Sequence, residues 1–218
     1  MTGSPPQALI FDWDNTLVDS WACILDSLNV ALDAMGHAPW TLDEMHVRVA
    51  LSLRDHFPVL FGERWEEARD IFYGAFRQNH LERLKPIEGM DGMLASLHAK
   101  GFKMSVVSNK NGEFLRAEAE RLGWSDYFHR LVGATDAPRD KPAPEPVHLA
   151  LEGTGIAPGP WVWFVGDAAV DMECALAANC VPVLLRPLAP RQGEFDRFTF
   201  RHYYNSPRDL VQALITNA

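Results

Sequence analysis

The pattern of apolar and polar residues divides the chain into short buried strands separated by helices. Residues 8–11 form an unbroken apolar run that ends at Asp12, which is typical of a strand buried on both faces. Four further strands are predicted, at residues 103–108, 130–133, 161–165 and 181–185. Helices are predicted between and after them, at residues 90–98, 111–122, 144–153, 168–179 and 207–215. Strands that alternate with helices predict an α/β fold with a doubly wound parallel sheet.

A long helical segment interrupts this alternation after the first strand. Between residues 19 and 84 the apolar positions repeat at three- and four-residue steps, and no convincing strand pattern is present. Three helices are predicted there, over residues 21–32, from residue 41 or 43 onwards, and over residues 65–76. We therefore expect a core made of residues 1–18 and 86–218, and an all-helical cap domain of residues 19–85. Such an insert would lie over the carboxyl ends of the strands, where doubly wound sheets bind ligands.

Composition and charge exclude several classes of function. The 218 residues carry a formal net charge of −9, which argues against binding to nucleic-acid backbones or anionic membranes. No apolar run approaches the ~18 residues that span a membrane, and the first residues lack the pattern of a signal peptide. The three cysteines include no CxxC pair, which favours reduced thiols. We expect a cytoplasmic protein that binds neither nucleic acid nor membrane.

Four polar clusters follow four of the predicted strands. They are Asp12-Trp13-Asp14-Asn15-Thr16, Ser108-Asn109-Lys110, Asp140-Lys141-Pro142 and Gly166-Asp167-Ala168-Ala169-Val170-Asp171. Because carboxylates that converge repel one another unless a cation lies between them, the aspartates predict a metal site, and such oxygen ligands suit Mg²⁺ best. The hydroxyl of Ser108 and the ammonium group of Lys141 would provide an anion site beside it. A metal, an anion site and a spare carboxylate together favour phosphoryl transfer.

In these motifs the sequence resembles the haloacid dehalogenase-like hydrolase superfamily, and within it the phosphoglycolate phosphatase-like branch. DWDNT, VVSNK, DKPAPEP and VGDAAVD occur in the family order, each after a predicted strand, and a helical insert follows the first motif. The resemblance implies a Rossmann-like catalytic core with a helical cap. It also implies a magnesium-dependent phosphatase that acts on a small phosphorylated metabolite, as a monomer or homodimer.

The resemblance further implies how the aspartates share the chemistry. Asp12 would be the nucleophile that forms an aspartyl-phosphate intermediate. Asp14 would be the general acid that protonates the leaving alkoxide and the general base that then activates water. Asp12, Asp167 and the backbone carbonyl of Asp14 would bind the Mg²⁺ ion. Asp171 would bind the ion through a water molecule or support one of its ligands.

The remaining roles concern the substrate. By the same resemblance, Ser108 and Lys141 would bind the phosphoryl oxygens, and Thr16 and Asn109 would orient the loop and the phosphate. Arg54 lies in the stretch where family members place a substrate-selecting loop, and is therefore a candidate substrate ligand. The sequence departs from the family there, with Ala50 in place of an expected glycine. A surface salt bridge is the alternative interpretation of Arg54.

Other reactions of the superfamily are distinguished by Asp14 and by the cap. Dehalogenases lack an acidic residue at this position, and phosphonate-cleaving members lack it and use a cap lysine, whereas residues 19–84 contain no lysine. A β-phosphoglucomutase-like phosphomutase would use the same Asp12 and Asp14 and stays open as an alternative. A non-catalytic binding module is the third hypothesis, against which the complete set of charged residues argues.

Overall fold

The structure is a computed structural model that describes residues 5–48 and 52–216. In chain order its strands are β1 (Ala8–Phe11), β2 (Val18–Asp19), β3 (Lys85–Pro86), β4 (Lys103–Asn111), β5 (Arg130–Ala134), β6 (Val162–Gly166), β7 (Val181–Leu185) and β8 (His202–Tyr204). Its helices are α1 (Trp21–Ala34), α2 (Leu42–Arg48), α3 (Leu53–Phe61), α4 (Trp65–Asn79), α5 (Met90–Ala99), α6 (Gly112–Arg121), α7 (Glu145–Leu151), α8 (Ala169–Ala177) and α9 (Pro207–Thr216).

Six strands form a central sheet in the order β5-β4-β1-β6-β7-β8, and all neighbours run parallel. β1 lies between β4 and β6, so the chain order reverses direction at this strand. Loops after the strands on either side of such a point diverge and leave a crevice at their carboxyl ends. The doubly wound parallel sheet predicted from the sequence is confirmed.

Both faces of the sheet are covered, which explains the unbroken apolar run of β1. Because side chains alternate along a strand, Leu9 and Phe11 point to one face and Ala8 and Ile10 to the other. The first pair packs in a core with α5, α6 and α9, and the second in a core with α7 and α8. A strand buried on both sides has no polar positions to reveal its period.

The described part of the segment between β2 and β3 is helical and contains α1 to α4. These helices share an apolar cluster of their own, made of Leu28, Leu32, Trp40, Met45, Phe57, Phe61 and Ala68. β2 and β3 pair antiparallel, with Val18 opposite Pro86 and Asp19 opposite Lys85. The segment therefore leaves the sheet and returns to it at one place. The expectation of no strand from residue 19 onwards was wrong at Asp19, since this short ladder precedes α1.

Besides β2 and β3, a helix and a strand were not predicted. α3 contains Pro58, which removes a helical hydrogen bond and so argued against a helix; the burial of Phe57 and Phe61 stabilises it nevertheless. β8 has three residues of intermediate exposure and no apolar run, and the His202 ring stacks on Trp163 with centroids 4.6 Å apart. Both elements depend on tertiary contacts that local pattern does not reveal.

Of the described residues, none belongs to a helix long and apolar enough to cross a membrane. Cys23, Cys174 and Cys180 are buried and unpaired with one another.

Candidate active site

The loop after β1 places two carboxylates at the centre of the sheet edge. The Asp12 amide donates to the Val165 carbonyl of β6 at 2.9 Å, so the strand pairing extends to the first aspartate. Asn15 then adopts a left-handed backbone (φ 63°), a conformation that asparagine tolerates better than most residues. Its amide donates to the Val18 carbonyl at 2.7 Å and closes the loop.

Lys141 holds Asp12 from the loop between β5 and α7. Its Nζ lies 2.6 Å from Asp12 Oδ1 and 2.8 Å from Asp171 Oδ1, and the lysine is only 2% exposed. Burial opposes the charge of Lys141, but the carboxylates of Asp12 and Asp171 outweigh it and raise the pKa of the ammonium group. A buried cation is therefore fixed beside the predicted nucleophile.

Three carboxylates converge at the same place. Asp12, Asp167 and Asp171 each offer an oxygen within 4.8 Å of the others. Burial, opposed by Lys141 and reinforced by Asp171, raises the pKa of Asp12 to about 7. Burial and the negative charges of Asp171 and Asp12 raise the pKa of Asp167 well above its usual range. The cluster thus carries more negative charge than Lys141 alone compensates.

The Asp171 side chain is committed to protein partners on both oxygens. Oδ1 accepts from Lys141, and Oδ2 accepts from the backbone amide of Ala168 at 3.0 Å at the start of α8. A β-carbon on Gly166 would overlap the Asp171 carboxyl group, so glycine is needed there for the close approach. Of the two ways in which Asp171 was predicted to assist a metal, this anchoring favours supporting the other groups.

The smaller polar residues position the larger ones. Thr16 is fully buried and donates from Oγ1 to Asp167 Oδ1 at 3.1 Å. Asn109 donates from Nδ2 to the Lys141 carbonyl at 3.1 Å. Ser108 accepts at Oγ from the Lys110 amide at 3.2 Å. Ser108 and Asn109 also line the cavity described below, whereas Thr16 lies behind Asp167 and is not among its lining residues.

Arg54 lies away from this cluster. Its Nε is 2.7 Å from Asp140 Oδ2, and its Nη2 donates to Asp140 Oδ1 at 2.8 Å. This pairing joins α3 to the loop that carries Lys141, and Arg54 is not among the residues that line the cavity. The structure places Arg54 in a salt bridge with the buried Asp140, and its role as a substrate ligand stays a prediction.

A second charged network, which was not predicted from the sequence, holds Asp14. Lys110 Nζ lies 2.6 Å from Asp14 Oδ1 and 2.7 and 2.9 Å from the two Glu118 oxygens. Glu118 also contacts His80 Nδ1 at 2.9 Å and accepts from Trp13 Nε1 at 2.7 Å. Burial opposes ionisation of Glu118, but these partners prevail and lower its pKa. Asp14 is therefore turned to Lys110 and stands apart from the three-carboxylate cluster.

A signal for this network was present in the sequence. Glu118 stands three residues after Leu115 and one before Ala119, on the apolar face of α6. A carboxylate on an apolar helix face needs a buried partner. Lys110, which belongs to the second polar cluster, is that partner.

A cavity of about 600 Å³ opens above these groups. Asp12, Asp14, Ser108, Lys141 and Asp167 form its floor, which we call the charged edge. Helices α1, α3 and α4 also contribute residues to its lining. The cavity is large enough for a small organic ligand whose reacting group meets the charged edge.

Comparison with known proteins identifies the class. The family model for haloacid dehalogenase-like hydrolases matches residues 9–184. The chain belongs to this family, as the order of its four motifs indicated.

Individual relatives show which proteins of this family the chain resembles. The chain is 28% identical to a phosphoglycolate phosphatase of Psychrobacter arcticus, over 97% of this chain and 90% of the relative. It is 30% identical to an N-acetylmuramic acid 6-phosphate phosphatase of Pseudomonas aeruginosa, over 83% and 81% of the two chains. A crystal structure of a haloacid dehalogenase-superfamily hydrolase from Ehrlichia chaffeensis superposes with a TM-score of 0.66 at 29% identity, covering 99% and 98%. The two named phosphatases act on different esters, so similarity at this level leaves the substrate open.

Proposed function

We propose that this protein is a magnesium-dependent phosphatase that hydrolyses a small phosphate monoester through an aspartyl-phosphate on Asp12. The observation that carries the proposal is the contact of Asp12 with Lys141 inside the cluster of three carboxylates. A nucleophile, a fixed cation and a predicted metal site are the components that phosphoryl transfer requires.

The donor set fits a magnesium ion. Asp12 and Asp167 present carboxylate oxygens close together, and oxygen-only ligands of this kind suit Mg²⁺. Burial, together with repulsion from neighbouring carboxylates, raises the pKa values of both groups, and a divalent cation would favour their ionised forms. Asp12, Asp167 and the Asp14 carbonyl would hold the ion, with Asp171 in support. When bound, Mg²⁺ would neutralise the charge of the phosphoryl group.

The residues of the chain then have distinct tasks. An Asp12 oxygen attacks phosphorus, the bond from phosphorus to the alcohol oxygen breaks, and Asp14 donates a proton to that oxygen. Water next attacks the aspartyl-phosphate, gives its proton to Asp14, and releases inorganic phosphate and the Asp12 carboxylate. Ser108 and Lys141 hold the phosphoryl oxygens in both steps. Lys110 orients Asp14, and Thr16 orients Asp167.

The helical segment would serve as a cap. We assign residues 19–85 to a cap domain and residues 1–18 and 86–218 to the catalytic core. The proposal is supported by the separate apolar cluster of α1 to α4 and by the residues that α1, α3 and α4 contribute to the lining of the cavity. Closure of such a cap excludes water during the first step.

The decisive experiment replaces the nucleophile. Asp12→Asn should reduce kcat for p-nitrophenyl phosphate at least about a thousandfold, because an amide is a poor nucleophile. The matched control is Asp33→Asn, an exposed aspartate on α1, which should leave the rate unchanged. Thermal unfolding of each variant would verify the fold. Wild-type turnover by the Asp12→Asn variant would refute the mechanism.

A further inference from the structure

The helical segment lines the cavity with aliphatic and aromatic side chains. Trp21, Phe57, Phe72 and Phe76, from α1, α3 and α4, line it, and we call these four residues the aromatic wall. The Phe57 and Phe72 centroids lie 5.7 Å apart and those of Phe72 and Phe76 5.8 Å apart. Because the rings pack on one another, the wall has a fixed shape before any ligand binds.

The described residues that α1, α3 and α4 contribute to the cavity include no lysine, arginine or carboxylate. Their titratable groups are His56 and Tyr73. Burial lowers the pKa of His56 and raises that of Tyr73, so both side chains are neutral near pH 7. The described part of this side thus offers no charge to a ligand.

Most of the cations among the other residues that line the cavity are already paired with carboxylates. Lys110 binds Asp14 and Glu118, and Lys141 binds Asp12 and Asp171. Arg186 is 2.6 Å from Glu194. Arg191, the remaining arginine among the described lining residues, is exposed at the rim. A second anionic group on the substrate, deep in the cavity, would meet aromatic carbon and lose its hydration without a compensating partner.

We infer that the alcohol released by this enzyme is apolar and aromatic, and larger than a two-carbon hydroxy acid such as glycolate. The inference rests on the proposed phosphatase activity, which supplies the reaction at the charged edge. A ring on the leaving group would replace water against the aromatic wall while the phosphate reaches Asp12. A two-carbon acid would leave most of the cavity of about 600 Å³ unfilled and place its carboxylate near the rings.

A series of primary alkyl phosphates tests this, since their leaving alcohols are similar in basicity. We expect kcat/KM to rise about threefold to fourfold per buried methylene from ethyl to butyl phosphate. 2-Phenylethyl phosphate should exceed ethyl phosphate by at least about a hundredfold, and phosphoglycolate should not exceed ethyl phosphate. A preference for phosphoglycolate or a sugar phosphate would overturn the inference and leave the phosphatase intact. Failure to hydrolyse any ester, including p-nitrophenyl phosphate, would overturn both.

A matched pair of variants locates the effect. Phe72→Leu removes a half-buried ring from the aromatic wall, and Phe102→Leu removes a half-buried ring on the far side of the core. Phe72→Leu should lower kcat/KM for 2-phenylethyl phosphate about fivefold to tenfold more than it lowers kcat/KM for ethyl phosphate. Phe102→Leu should change neither. Equal losses on both esters in Phe72→Leu would show that the ring only stabilises the fold and would count against the inference.

Arg48 provides a third test. It lies six residues before Arg54, in the stretch where family members place a substrate-selecting loop, and its side chain is outside the described part of the chain. Arg48→Gln should leave the ratio of kcat/KM for phosphoglycolate and ethyl phosphate within twofold of its original value. A selective loss of phosphoglycolate hydrolysis in this variant would assign a carboxylate-binding role to Arg48 and overturn the inference.

Discussion

The charged edge and the aromatic wall both line the cavity, but one is built from ion pairs and the other from packed rings. Lys141 in the charged edge and Lys110 beside it are buried and bound to two carboxylates each. On the aromatic wall, shape arises from ring packing, and the described residues carry no charge there at neutral pH. Charge fixed in a buried site suits a reaction that moves a phosphoryl group. An apolar surface suits selection by size and dehydration. The comparison thus assigns the reacting phosphoryl group to the charged edge and recognition of the leaving group to the aromatic wall.

This difference gives a physical reason why relatives of this chain carry different substrate names. The four motifs all lie in or after strands of the sheet, so the residues proposed to carry the reaction belong to the core. The helices between β2 and β3 bring only side chains of their own to the leaving group. A change in those helices can alter the ester without disturbing Lys141 or Asp12.

Removing the central cation should have the largest effect on the comparison. Lys141→Met keeps the length of the side chain but leaves Asp12 and Asp171 without their shared partner. We expect kcat/KM to fall at least about a thousandfold, and the free energy of unfolding to fall by about 3–5 kcal/mol, as for other broken buried pairs. Steady-state kinetics and urea denaturation would measure both quantities. Lys100→Met, at an exposed lysine, is the control.

The outcome would decide whether the charged edge acts as a unit. A rate within tenfold of the wild type for Lys141→Met would mean that the metal alone compensates the carboxylates. The distinction between the two sides of the cavity would then rest on the ion and not on the protein.

A smaller effect is expected where the two regions touch. Glu118 on α6 binds Lys110 of the core and His80 just beyond the end of α4. Glu118→Gln removes one charge from this network, so Lys110 keeps Asp14 as its one carboxylate partner in it. We expect kcat to fall about thirtyfold and stability to fall by about 2–4 kcal/mol, because glutamine has one acceptor oxygen where Glu118 has two, and a buried donor, Lys110 or Trp13, loses its acceptor.

Glu120→Gln on the same helix is the matched control for Glu118→Gln, since Glu120 is exposed. The ester preference should stay unchanged in both variants, because neither residue lines the aromatic wall. Equal behaviour of the two variants would show that the network around Lys110 is not needed for turnover.

The sequence and the structure agree best where a motif follows a buried strand. Asp12, Lys141 and Asp167 were predicted to converge because parallel strands end at one edge, and their side chains do so. The hydrogen bond from Thr16 to Asp167 could not be predicted in the same way. The two residues are 151 positions apart along the chain, and the folded loops decide which side chains meet. The pairing of Arg54 with Asp140 likewise depends on how α3 docks on the core.

The pattern of apolar residues did not predict features that depend on tertiary contacts more than on local preference. α3 forms despite Pro58, since Phe57 and Phe61 anchor it. The aromatic wall was not predicted, because rings repeated at helical spacing are ordinary core residues in a sequence. That these rings line a cavity becomes visible only when α1, α3 and α4 are assembled on the core.

The smallest predicted effect concerns the competition of protons with Mg²⁺ at the charged edge. The pKa of Asp12 is raised to about 7, so this carboxyl is mostly ionised at pH 8 and mostly protonated at pH 6. Since a metal binds the carboxylate, lowering the pH from 8 to 6 should weaken Mg²⁺ affinity about tenfold. Calorimetric titration with Mg²⁺ at constant ionic strength would measure this without any substrate. The Asp12→Asn variant should bind more weakly and lose most of the pH dependence, although Asp167, whose pKa is also raised, retains a part. Equal Mg²⁺ affinity at the two pH values would mean that the ion is held elsewhere, and the charged edge would then owe its compensation to Lys141 alone.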